Sequence, residues 1–80
     1  MFLQTFKNLI EKIENLDSLL KLEVLVLNDN KIKKIENISM LKNLDLLNLE
    51  NNLIEDFEIK EIPPNISELN LEGNPITKKV

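Results

Sequence analysis

An α/β solenoid is predicted for this chain: a short parallel sheet on a concave face, joined by helical, 3-10 or extended return segments. Three observations predict it. Asparagines recur at Asn8, Asn30, Asn52 and Asn74, each 22 residues from the last. Aliphatic residues keep the same step in several independent columns. Between them run short blocks in which apolar residues alternate with the other face of an extended strand. A fixed period of this length means stacked supersecondary units, each burying the apolar side of its neighbour.

The columns justify each element in turn. Leu3, Leu25, Leu47 and Leu69 form one, and Leu27, Leu49 and Leu71 the next. Leu22, Leu44 and Ile66 precede them, and Ile10, Ile32, Ile54 and Ile76 follow the asparagines. The chain therefore reads as a single array over residues 1–80, with a partial repeat at 1–21 and core repeats starting at 22, 44 and 66. The first unit is expected to lack most of its strand, because Thr5 stands in the column of Leu27. Residues 9–21 are expected to form a helix, since Leu9, Ile13, Leu16, Leu19 and Leu20 are spaced to share one face. Residues 31–43, with Ile32, Ile35, Ile38 and Leu41 at every third position, suit a tight helical or 3-10 path. In the next return segment Lys60 and Pro63 replace Ile38 and Leu41, and Pro63-Pro64 forces an extended approach to Asn65. Phe57, Ile59 and Ile62 are expected to fill the core there. Short Asn amides at the turns can bond to main-chain groups where the chain leaves the sheet, which gives Asn8, Asn30, Asn52 and Asn74 a structural role.

Residues 22–30 (LEVLVLNDN), 44–52 (LDLLNLENN) and 66–74 (ISELNLEGN) resemble the leucine-rich-repeat motif L-x-x-L-x-L-x-x-N. The intervening N-x-I-x-x-I-x-x-L spacing resembles the 22-residue class typified by the protein-phosphatase-1 regulatory subunit. The same class occurs in the A′ protein of the spliceosomal U2 particle and in an axonemal dynein light chain. The resemblance covers essentially the whole chain. It implies a buried asparagine ladder at Asn30, Asn52 and Asn74, and a C-terminal cap that the residues after Asn74 do not supply. Leu69 and Leu71 are accordingly expected to be underprotected, with Lys78 and Lys79 blunting that edge.

Composition narrows the function. There is no His and no Cys among the 80 residues, so His-based or thiol-based acid–base and nucleophilic chemistry is excluded. Gly73 is the only glycine, which rules out a phosphate-cradling glycine loop. No catalytic residue, cofactor or metal site is expected. All ten basic residues are Lys, and without Arg the bidentate reading of phosphates and guanine edges has no donor, so direct nucleic-acid binding is not expected. No apolar run reaches membrane-spanning length, and no signal-peptide core is present, so an intracellular place, cytoplasmic or nuclear, is expected. The sequons at Asn37 and Asn65 would matter only on the secretory route.

A binding function remains, and the column phase names its residues. Val24, Val26 and Leu46 are apolar yet fall on the out-facing phase, with Asn48, Glu50, Glu68, Asn70 and Glu72 beside them. Such a face can receive an aliphatic anchor flanked by Lys or Arg. The expectation is a protein-binding module acting as a scaffold or regulatory subunit through its concave face. The resemblance implies a phosphatase catalytic subunit or another complex component as the partner. Two alternatives stand beside it: a structural piece of a larger repeat protein, and a splicing-associated protein scaffold. Lys31, Lys33 and Lys34, and likewise Glu55, Asp56, Glu58 and Glu61, read as solvated surface.

Overall fold

The computed structural model describes residues 1–5 and 9–77. Four strands, β1 (Phe2–Gln4), β2 (Val24–Val26), β3 (Leu46–Asn48) and β4 (Glu68–Asn70), form one parallel sheet in chain order. Each strand pairs with the next at a shift of one period: Leu3 faces Leu25, Leu25 faces Leu47, and Leu47 faces Leu69. The pairing continues past the three-residue strands, since the Leu27 and Asp29 amides donate to Asn48 O and Glu50 O, both at 2.9 Å. Phe2–Gln4 is as long as its neighbours, so the first unit has its strand, contrary to the reading from Thr5. One polar residue at the strand's end does not prevent pairing when Leu3 occupies its inward column.

No α-helix occurs among the described residues, which corrects the helical part of the expected α/β class. The helix expected over residues 9–21 is replaced by bends and turns. Leu9 and Leu20, two of its five face residues, are 70% and 56% exposed. The inward residues are instead Ile10, Ile13, Leu16 and Leu19, spaced by three like Ile32, Ile35, Ile38 and Leu41. Asn15 and Asn37, also one period apart, lie at φ 63° and 62°. A left-handed residue in mid-segment breaks a right-handed helix, and Asn is among the few residues that tolerate it. Residues 31–43 likewise follow bends and turns rather than a helical or 3-10 path.

The third return segment differs for a reason visible in that same column. Its residue is Ile59, whose β-branched side chain disfavours positive φ. The chain turns instead through a 3-10 helix, Ile59–Glu61, closed by the Ile62 amide on Ile59 O at 3.0 Å. Like Asn15 and Asn37 in its column, Ile59 is exposed, at 66%, contrary to the expectation that it fills the core. Phe57 and Ile62 do pack against the core, and Pro63 is buried where Leu41 sits one repeat earlier.

Among the described residues, twelve Leu and Ile side chains are buried, and all of them lie between Ile13 and Ile54. Full burial of each contributes about 1.5–3 kcal/mol, so the second and third units carry most of the hydrophobic stabilisation. Ile66, Leu69 and Leu71 are only half-buried, as the underprotected fourth strand predicts. Lys78 and Lys79, expected to blunt that edge, lie outside the described residues.

The asparagine ladder stitches these units together. The Asn52 amide nitrogen donates to Leu49 O (3.0 Å), Glu50 O (3.2 Å) and, one repeat back, Leu27 O (3.1 Å). Its Oδ1 accepts from the Ile32 amide at 3.0 Å. Asn74 repeats the pattern with Leu49 O, Leu71 O and the Ile54 amide. Asn30 does so with Leu27 O, Asn28 O and the Ile10 amide. Asn8 lies outside the described residues.

Candidate functional site

Strand geometry sorts the sheet's side chains into two faces, since successive residues point to opposite sides. Leu25 and Leu47 are buried beneath the sheet with Leu3 and Leu69 packed beside them, which leaves the alternate residues on its open face. The register places Phe2, Val24, Leu46 and Glu68 in one row across the four strands. Gln4, Val26, Asn48 and Asn70 form the next row. Beyond the strand ends come Asn28, Glu50 and Glu72, each two residues further along its own repeat.

All eight residues predicted to bind therefore share one surface. Val24, Val26, Leu46, Asn48, Glu50 and Asn70 are half-buried, while Glu68 and Glu72 are exposed. Phe2 belongs with them and was not anticipated. It is 60% exposed at the start of the apolar row, and its aromatic ring is the largest apolar group on this face. The signal was available, for Phe2 stands 22 residues before Val24. Thr5, in the column of Leu27, conceals that signal because it argues against a first strand.

Local hydrogen bonds hold parts of the face in place. Asn48 Oδ1 accepts the Glu50 amide at 2.9 Å, which fixes the Asn48 side chain just beyond β3. The Asn70 amide nitrogen donates to Glu68 Oε2 at 3.2 Å. Asp29 accepts from Asn28 (2.9 Å) and, across the repeat, from Asn51 (3.0 Å). By contrast, the Asn52 and Asn74 amides are spent on main-chain groups, and the Asn30 amide on main-chain groups and Thr5 Oγ1, so they shape the face without offering it a contact.

Among the described residues, lysines are confined to the return side, while carboxylates occur on both. The blocks 22–30, 44–52 and 66–74 contain Glu23, Asp29, Asp45, Glu50, Glu68 and Glu72 and not one lysine. The described lysines, Lys12, Lys21, Lys31, Lys33, Lys34, Lys42 and Lys60, all sit in return segments and are exposed. Among the described residues, Glu50, Glu68 and Glu72 have no ion-pair partner; the pairs that form are Met1–Glu23 at 4.0 Å and Lys60–Glu58 at 3.6 Å. The open face is thus a row of apolar side chains beside carboxylates that no described lysine pairs with.

The return side has deeper relief but mixed character. A depression of about 640 Å³ there is lined by Lys33, Lys34, Leu53, Phe57, Glu61 and Pro75 among others. Both signs of charge line it, so it offers no field of one sign to steer a charged partner. Among the described residues no helix is long and apolar enough to cross a membrane.

Comparison with known proteins agrees with the geometry. A family profile described as Leucine Rich repeats (2 copies) matches residues 20–61, just over half of the chain. No curated protein and no solved structure matches the chain significantly.

Proposed function

Because this chain belongs to the leucine-rich-repeat family, whose repeats commonly mediate contacts between proteins, we propose that it is a protein-binding module that works through the open face of its sheet. The observation that carries the reading is the apolar row Phe2, Val24 and Leu46 lying beside carboxylates that no described lysine neutralises. Apolar groups supply affinity when covered, and a field of one sign supplies steering and partner choice. The partner is therefore a protein segment with an apolar anchor and basic flanks.

Within that reading the module acts as a scaffold or regulatory subunit. The 22-residue spacing that resembles the phosphatase-1 regulatory subunit makes a phosphatase catalytic subunit the first partner to test, with a splicing-complex protein the second. Either partner would place the chain in the cytoplasm or nucleus.

The test is affinity capture with three baits: the native chain, Leu46→Glu on the open face and Leu53→Glu on the return side. Partners identified by mass spectrometry should bind the native chain and Leu53→Glu and be lost from Leu46→Glu. The far-ultraviolet circular dichroism of all three should agree. Partners that survive Leu46→Glu and disappear with Leu53→Glu would move the site to the return side.

A further inference from the structure

The open face has two functional edges, and their separation constrains what fits between them. The apolar row of Phe2, Val24 and Leu46 lies at the start of the strands. The carboxylates of Glu50 and Glu72 lie four residues further along, in chains whose main-chain pairing continues to that point. Four extended residues span about 13 Å at a strand rise of about 3.3 Å. An α-helix with its side chains is about 10–12 Å across, which fills that width. The row between, Val26, Asn48 and Asn70, carries no charge and offers a floor for the helix to rest on.

The spacing along the other direction agrees. Neighbouring strands lie about 4.8 Å apart, so Phe2 to Leu46 covers about 10 Å. Apolar residues at i, i+4 and i+7 of a helix cover about 10.5 Å at 1.5 Å per residue. An extended peptide laid across the strands presents same-side residues about 6.6 Å apart, which falls out of step, and it reaches only one of the two edges.

We infer that the occupant of this face is a basic amphipathic helix of about three turns, lying across the strands with its apolar stripe on Phe2, Val24 and Leu46 and its lysine or arginine flank on Glu50 and Glu72. The inference rests on the open face being the binding surface and adds the occupant's conformation and charge. Glu68 ends the apolar row and takes a basic residue at that end of the helix.

Designed peptides test it against the full chain by fluorescence anisotropy. The probe is a helical, alanine-based peptide with leucines at i, i+4 and i+7 and a lysine directly after each. One control has the same composition but carries prolines that abolish the helix, and another replaces the lysines with glutamates. The expected result is binding at least about tenfold tighter for the probe than for either control. It should weaken by at least about tenfold in Leu46→Glu and in Glu50→Lys, and stay unchanged in Leu53→Glu. Glu50→Lys, a change at the strand end, keeps the test open if Leu46→Glu fails to fold.

Equal or tighter binding of the proline peptide overturns the helix while leaving the face intact, provided Leu46→Glu still weakens it. Probe binding that ignores both face variants overturns the face as well. No binding by any peptide whose helicity is confirmed overturns the helical occupant, and the capture experiment then decides the face independently.

Discussion

Asn52 makes four hydrogen bonds with its side chain, and each partner is a main-chain group. Its removal strands buried carbonyls and the Ile32 amide together, and each unsatisfied buried group costs about 1–3 kcal/mol. Asn52→Ala should therefore lower the unfolding free energy by about 3 kcal/mol or more, read from urea titration. Asn43 is a fair contrast, because its side chain makes a single exposed bond to Leu20 O at 3.1 Å. Asn43→Ala should cost less than about 1 kcal/mol; equal losses at the two sites would show that the buried ladder has no special weight. Gly73 carries a different constraint. It has φ 77°, in the column of Asp29 (φ 61°) and Asn51 (φ 57°), and an added Cβ would lie 2.0 Å from Asn51 Oδ1. Gly73→Ala should cost about 1–2 kcal/mol from backbone conformation and contact together. In an Asn51→Ala background the contact part vanishes, so a double-mutant cycle should return a positive coupling.

At the level of the return segments, neighbouring columns have unequal worth. Ile38 is fully buried, whereas Ile59, in the column of Asn37, faces out beside the 3-10 turn. Ile38→Ala should cost about 2–5 kcal/mol, the usual range for a large cavity in a core. Ile59→Ala should stay within about 0.5 kcal/mol of the parent. A large loss at Ile59 would mean that the 3-10 segment packs inward. These two residues also mark how far the sequence can be read. Periodicity reveals which columns are buried, because burial repeats whenever the backbone path repeats. It does not reveal the path itself. A residue spacing of three fits a helix on paper, but left-handed Asn15 and Asn37 turn the chain into successive bends. Ile59 stands in that column, and its exposure matches that of Asn15 and Asn37 even though its turn differs. On the candidate face, Val24, Val26 and Leu46 were legible from strand alternation alone, whereas Phe2 needed the first strand to be recognised despite Thr5.

Across the molecule, burial is concentrated at the centre. Among the described residues, every buried Leu and Ile side chain belongs to residues 13–54, while β1 and β4 contribute half-buried or exposed side chains. Native-state hydrogen exchange should therefore find the slowest amides in β2 and β3, around Leu25 and Leu47, with β1 and β4 exchanging sooner. Uniform protection across all four strands would point to a single all-or-none opening instead. The ladder adds a direction to this picture. Asn52 completes groups of the preceding unit at Leu27 and Ile32, and Asn74 does the same for Leu49 and Ile54. Asn37, Asn43 and Asn65 also reach backward, to Ile13 O, Leu20 O and Lys42 O. On a ribosome, where the chain appears N-terminus first, each coil must wait for its successor before its turn is finished. Structure should then consolidate one period behind synthesis. Pulse-labelled refolding of ribosome-stalled chains should protect the Ile32 amide only after Asn52 has emerged.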